Sequence, residues 1–289
     1  MILVFGASGQ TGEELSLQAV KRGVPLTALP RAAADISDAS AVADAIARSR
    51  PSVVVNTAGY TKVDLAETEP DKAFGANATG PAVLARACAQ AGLPLVTIST
   101  DYIFDGTKRN PYTEDDPISP LGVYGRSKAA GEAAVRSALA QHVILRTSWV
   151  YGRFGANFLK TVLRLAREKH ELTIVADQRG CPTGTADIAE AILTIAPRLA
   201  DREPVWGTYN FAGGGATTWY EFAVEIVENQ AKVTGRKPPV RPITTAEYPT
   251  AARRPANSEL DCSRFRATFG FSAIEWRKRT RDVVASLVA

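Results

Sequence analysis

The chain has 289 residues, 45% hydrophobic and 22% charged, a balance that permits a full buried core and excludes a disordered or fibrous polymer. Its formal net charge of +4 is small, and the basic residues are dispersed except near the C-terminus, which suits an anionic small ligand better than a nucleic acid. No run reaches the ~18 apolar residues that a membrane helix needs, and Met1 leads straight into an apolar stretch without a basic leader, so a cytoplasmic protein without a membrane partner is expected. Cys88, Cys181 and Cys262 are odd in number and scattered, in neither a disulfide framework nor a metal-ligand spacing, so no metal is expected.

In chain order, Ile2 to Phe5 is a short continuous apolar run, as in a strand buried on both faces. It ends in Gly6-Ala7-Ser8-Gly9-Gln10-Thr11-Gly12, which opens a helical stretch to about Arg22. Glycines there let the backbone turn sharply and approach a pyrophosphate seated on the free N–H groups of the helix start. The three-and-three spacing differs from the commoner two-and-three fingerprint, so a plain tight turn is the alternative. Leu26 to Leu29 reads as a second strand, closed by Pro30-Arg31. An acidic residue at this strand end would hold the ribose hydroxyl of NAD, whereas an arginine accommodates the 2′-phosphate of NADP. Arg31 therefore favours NADPH, with NADH still possible and a plain surface arginine the alternative. Asp35-Ile36 then precedes a helix from about Ala39 to Arg48, and Asp35 either caps that region or lies against the adenine.

Val53 to Val55 is a third buried strand, ending in Asn56-Thr57-Ala58-Gly59-Tyr60-Thr61, whose small residues leave room for a cofactor ribose. A helix over Asp71 to Ala91 follows, interrupted at Gly75 and Gly80-Pro81. Leu95 to Ile98 is the fourth strand, with Ser99-Thr100-Asp101-Tyr102 at its end. Ligands of open α/β sheets collect outside the carboxyl ends of strands, so Thr100 is expected in the same crevice as the glycine turn. After a Pro-rich loop, Tyr124 and Lys128 lie four apart at the entrance of an Ala/Glu-rich helix to about Leu139. A lysine beside a phenol favours the phenolate, bringing proton exchange towards neutrality, and such a group hands a proton to a carbonyl while a hydride arrives. His142 to Arg146 is a further strand. Residues 1–150 thus read as a Rossmann-like, doubly wound parallel sheet.

An N-terminal glycine turn, a Ser/Thr at the fourth strand end and Tyr-x3-Lys downstream resemble the extended short-chain dehydrogenase/reductase superfamily. Longer strings narrow the likeness: Asn56-Thr57-Ala58-Gly59-Tyr60-Thr61, Ser99-Thr100-Asp101-Tyr102, Arg146-Thr147-Ser148-Trp149 and Asp177-Gln178-Arg179-Gly180-Cys181-Pro182, with Ala252-Arg253-Arg254-Pro255. These resemble the dTDP-4-dehydrorhamnose reductase family over essentially the whole chain. The resemblance implies that Tyr124 gives a proton to the C4 keto oxygen of dTDP-4-dehydro-L-rhamnose, that Thr100 hydrogen-bonds the same oxygen, and that Lys128 binds the nicotinamide ribose. It also implies substrate contacts at Asp101 and Trp149, with Arg253-Arg254 near a diphosphate. A solvated basic loop is the alternative for those arginines, and a core filler for Trp149.

Nucleotide-sugar dehydratases of this superfamily follow the threonine with Asp-Glu; here Tyr102 follows Asp101, which argues against water elimination. Related epimerase-reductases pair a cysteine with a histidine, and Cys181 has no such partner, reading as a small buried residue. Some relatives dimerise through a magnesium bridged by glutamates. Glu14 matches one position, but Ala186 and Ser286 to Ala289 supply no others, so a monomer or weak homodimer is expected.

The remaining residues, 151–289, read as a smaller C-terminal α/β substrate lobe, with part of about 185–212 returning to the first domain. Helical spacing covers Phe158 to Arg167, Asp187 to Leu199 after an N-cap at Thr185, and Trp219 to about Ala231; Leu172 to Val175 and Thr208 to Ala212 read as strands. The run Arg277 to Arg281 reads as a solvated helix face. Two alternatives to the rhamnose reductase stand. One is a reductase of another nucleotide-linked 4-keto sugar. The other is a non-catalytic regulatory subunit similar to the methionine adenosyltransferase beta subunit, against which an intact Thr100, Tyr124 and Lys128 argues.

Overall fold

A computed structural model describes residues 1–288. Its N-terminal elements alternate as the apolar runs dictate: β1 (Ile2–Phe5), α1 (Gln10–Lys21), β2 (Leu26–Leu29), α2 (Ala39–Ser49) and β3 (Val53–Asn56). Two short helices, α3 (Val63–Ala66) and α4 (Pro70–Phe74), then lead through a π-helical turn at Gly75–Thr79 into α5 (Gly80–Ala91). Pro81 has no N–H to offer the carbonyl of Asn77 four residues back, and the widened turn accommodates that loss. The strand β4 (Leu95–Thr100), the helix α6 (Val123–Ala138) and the strand β5 (His142–Thr147) complete this half.

The second half supplies β6 (Val150–Tyr151), α7 (Phe158–Glu168), β7 (Leu172–Val175), β8 (Arg179–Gly180), β9 (Thr183–Gly184), α8 (Thr185–Ala200) and β10 (Gly207–Asn210). After these come β11 (Thr217–Thr218), α9 (Trp219–Thr234), β12 (Val240–Ile243), α10 (Ser263–Phe269) and α11 (Trp276–Val288). Thr185 is the first helical residue of α8 and does not cap it; Gly184 holds the cap position without a side-chain bond. Ala289, the last of the C-terminal residues read for a metal bridge, lies outside the described residues.

Six parallel strands form the central sheet in the order β2-β1-β3-β4-β5-β10. Alternation along β1 sends Ile2 and Val4 into one core, with Leu15, Ile188 and Ile192, and Leu3 and Phe5 into the other, with Val42, Leu84 and Ile144. Burial on both faces explains why these strands read as unbroken apolar runs. The strand order reverses between β1 and β3, which opens a crevice beyond Phe5 and Asn56. A third core, around Tyr151, Leu159, Phe222 and Trp276, joins α7, α9 and α11. No helix among the described residues is long and apolar enough to cross a membrane.

Candidate active site

The glycine turn lies where the strand order reverses. Gly6 has a φ of +90°, and a Cβ there would stand 2.4 Å from the backbone nitrogen of Ala58, so only glycine lets β1 and β3 end so close together. A Cβ on Gly12 would stand 2.3 Å from the Gly6 carbonyl oxygen, so the third glycine lets α1 pack against the turn. Gly9 caps α1 without any side-chain acceptor, leaving the first N–H groups of a 12-residue helix for a ligand. The Gln10 side chain turns away to the carbonyl of Val150 (3.4 Å) and to Asn157 (3.4 Å), and the side chain of Thr11 is partly exposed.

At the end of β2, Arg31 donates to Asp35 at 2.8 Å with most of its side chain in solvent. Asp35 also accepts from the N–H and hydroxyl of Ser37, and these bonds, ahead of Arg31, hold its carboxyl below the usual range. Ile36 is a core residue: a Cβ on Gly80 would lie 2.4 Å from its Cδ1. The exposed arginine, the glycine turn and the uncapped helix start together suit the phosphates of a dinucleotide.

Thr100 is the last residue of β4, paired in register with Thr147 of β5. Its hydroxyl donates to Asp101 at 3.0 Å and accepts from the Tyr102 N–H at 3.2 Å. On α6, Gly125 lets the helix approach the turn at Asp101–Ile103, since a Cβ would meet the Tyr102 carbonyl oxygen at 2.2 Å. Tyr102 and Tyr124 consequently meet edge to face, with centroids 5.9 Å apart. Burial pushes the Tyr124 phenol up to about 12, while a hydrogen bond with Thr100 works the other way and the charge of Asp101 adds to the rise. Tyr102, whose N–H bonds the Thr100 hydroxyl and whose ring meets Tyr124, thus brings the two side chains to one place.

The expected acidifying lysine is a correction. Lys128 Nζ donates to the carbonyl of Ile98 at 2.6 Å, and burial pushes it down to about 8 against the pull of Glu132. Enclosure by protein thus acts on phenol and ammonium alike, favouring the neutral form of each. Tyr124 holds its proton, as an acid awaiting a ketone must. Lys128 nevertheless sits against the cofactor side: a Cβ on Gly59 would lie 3.7 Å from its Nζ.

Several positioning groups were not singled out in the sequence. Asn77, in the π-turn, accepts from the Tyr60 N–H at 2.8 Å and donates to the Tyr60 carbonyl and the Ser127 hydroxyl, both at 3.0 Å. Ser127 in turn donates to the Tyr124 carbonyl. Asn77 therefore ties the Gly59–Tyr60 loop to the helix carrying Tyr124 and Lys128. The only hint of it was the interrupted pattern at Gly75 and Gly80-Pro81. Glu67 caps α6 from outside, accepting the Val123 N–H at 2.7 Å. Behind Lys128, Arg146 grips Glu132 through two bonds of 3.0 and 2.8 Å, with Ser99 at 2.5 Å. Tyr60 reaches Glu69 at 2.8 Å, and Thr61 is exposed.

The remaining groups come from both halves of the chain. Asp101 is buried, its Oδ2 makes no hydrogen bond, and burial raises its carboxyl to about 7 against the hydroxyls of Ser258 and Thr100. Arg253 is exposed, whereas Arg254 clamps Asp64 through two bonds of 2.6 Å. Trp149 adopts a φ of +46°, a left-handed conformation that costs a bulky residue roughly 1–2 kcal/mol. Cys181 is buried, its thiol pushed up to about 12 by desolvation, which removes it from proton transfer. Arg279, from the run read as solvated, instead holds the buried Asp187 through bonds of 2.8 and 2.7 Å.

Comparisons with known proteins give the family. The family model described as RmlD substrate binding domain matches residues 1–289. A dTDP-4-dehydrorhamnose reductase of Sinorhizobium fredii is 45% identical over 99% of this chain and 97% of its own length. The crystal structure of a dTDP-4-dehydrorhamnose reductase from Clostridium acetobutylicum superposes with a TM-score of 0.92 at 37% identity, covering 100% of this chain and 99% of the other. A dTDP-4-dehydrorhamnose reductase from Bacillus anthracis, solved in complex with NADP, gives 0.91 at 34% identity over 99% and 98% of the two chains. With such likeness from end to end, the chain belongs to the RmlD substrate-binding-domain family, the family of the dTDP-4-dehydrorhamnose reductases.

Proposed function

We propose that this protein reduces the C4 keto group of dTDP-4-dehydro-L-rhamnose with NADPH, giving dTDP-L-rhamnose. The observation that carries the reading is the convergence of Tyr124 and Thr100 on either side of Tyr102, with Lys128 beside the Gly59 loop. When bound, NADPH supplies the hydride. The free N–H groups at the start of α1, from Gln10, would hold its diphosphate, Arg31 its 2′-phosphate, and Lys128 with the Gly59–Thr61 loop its nicotinamide ribose. NADH is accepted less well on this reading, because Arg31 then has no phosphate partner.

Tyr124 gives its phenolic proton to the ketone oxygen as the alkoxide develops, and the Thr100 hydroxyl donates a hydrogen bond to the same oxygen. Thr100 is free to turn because its present acceptor is only the neighbouring Asp101. The unpaired Oδ2 of Asp101 is suited to a sugar hydroxyl, since a buried carboxyl oxygen without a partner is costly. Arg253 is open to a substrate phosphate.

We read residues 1–150 as the dinucleotide-binding domain and 151–289 mainly as the substrate lobe, with about 185–212 returned to the first. The pairing of β10 with β5 and the packing of α8 in the β1 core support that division. The decisive assay follows NADPH oxidation by the pure protein with dTDP-4-dehydro-6-deoxy-L-mannose. Turnover to the rhamnosyl product supports the reading, and none would overturn it.

A further inference from the structure

Only three non-glycine residues among those described have positive φ: Arg50, Trp149 and Arg202. Arg50 ends α2 and Arg202 follows α8, where a left-handed residue is an ordinary way to stop a helix. Trp149 stops no helix. It stands between β5 and β6, two residues past Thr147, the register partner of Thr100. The surroundings hold it there. Its carbonyl accepts from the Thr183 N–H at 3.2 Å, and Ser148 donates to the Cys181 carbonyl at 2.6 Å. Gly180 leaves room for the indole, because a Cβ there would stand 2.5 Å from the ring.

A further contact constrains the ring itself. Trp219 stacks on Trp149 with centroids 3.5 Å apart and planes 6° apart. Two aromatic rings left to themselves prefer an offset or edge-to-face arrangement, so this sandwich is imposed by the fold. The imposing element is α9. Trp219 is its first residue, held within a capping box in which Thr218 and Glu221 bond each other's backbone, and Phe158 packs on Trp219 at 4.6 Å. Both indoles stay half-buried. They pack at the rim of the third core, whose interior holds Trp276.

We propose that Trp219 is a positioning residue for the substrate: it braces Trp149 in its left-handed conformation and so sets how the indole meets the sugar ring of the nucleotide sugar. This rests on the reductase reading given above. An indole braced in advance contacts a pyranose without first being ordered, and that contact is made in the ground state and the transition state alike. Loss of the brace should therefore appear in KM for the sugar and much less in kcat.

The test compares wild type with Trp219→Ala and Trp219→Phe in steady-state kinetics, and records the ultraviolet circular dichroism couplet of the stacked indoles. Trp219→Ala should raise KM for the dTDP-sugar about tenfold, leave KM for NADPH unchanged and abolish the couplet. Trp219→Phe, which keeps a flat ring at the position, should recover most of the affinity. In the wild type, dTDP-L-rhamnose should reshape the couplet and NADPH should leave it alone. An unchanged sugar KM in Trp219→Ala, or equal rises for sugar and NADPH, would overturn the proposal. So would a wild-type couplet indifferent to dTDP-L-rhamnose, a readout that needs no variant to fold. Absence of any turnover by the wild type is a different outcome: it overturns the reductase reading and this inference with it.

Discussion

The two walls of the cleft are held by different means. On the wall from the first half, Thr100, Tyr124 and Lys128 take their places from backbone geometry: strand register, one turn of α6, and glycines that permit close approach. On the opposite wall, Trp149 and Arg254 are placed by side chains from distant parts of the chain: Trp219 and Asp64. The strands there are only two residues long at β6, β8, β9 and β11, so ladder hydrogen bonds contribute little. The first wall is a frame that chemistry can rely on. The second is an assembly of contacts that can change with the substrate while the frame stays the same.

That contrast can be broken by mutation, beginning where the effect is largest. Tyr124→Phe should lower turnover by about 10²–10⁴-fold while leaving NADPH binding near normal, as read by steady-state rates and a nucleotide titration. A near-normal rate would remove the phenol from its role. Glu132→Gln leaves Arg146 as an uncompensated charge in a site where both side chains are almost wholly buried (1% and 2% exposed). It should cost about 3–5 kcal/mol in urea unfolding, because the frame behind Lys128 depends on that pair. A loss of less than about 1 kcal/mol would show that the frame does not depend on this ion pair.

Arg31→Ala should raise KM for NADPH about tenfold and leave NADH almost untouched. An unchanged preference would show that this arginine reads no phosphate. Lys128 sharpens the comparison through pH. Unfolded, it holds its proton up to the ordinary 10.5; folded, only up to about 8. Between those values the unfolded chain binds more protons, so stability should rise with pH across that window. Lys128→Met should flatten the rise and stabilise the protein at pH 7 by something on the order of 1 kcal/mol, after allowance for the solvent that reaches this half-buried group, while abolishing turnover. Smallest of all, Asp64→Asn should cost about 1 kcal/mol or less, because the Arg254 clamp is partly open to water. Its effect should fall on KM for the sugar, since the clamp joins the two walls.

Read as a sequence, this protein already declared its sheet, its glycine turn and the pairing of Tyr124 with Lys128. Those features follow from local rules: an apolar run buried on two faces, a turn that needs a missing Cβ, side chains four apart on a helix. What stayed hidden depends on neighbours far along the chain. The environment of Lys128 was misread because burial, unlike spacing, is a property of the packed molecule, and here it opposes the charge on lysine and phenolate together. Ile36, beside Asp35 in the sequence, belongs to the core, which claims it through Gly80. Arg253 and Arg254 look equivalent in sequence, and only the loop's course decides that one faces water and the other Asp64. Asn77 and Trp219 went unnoticed for the same reason: a side chain's role in holding another can be seen only once the fold has brought the two together.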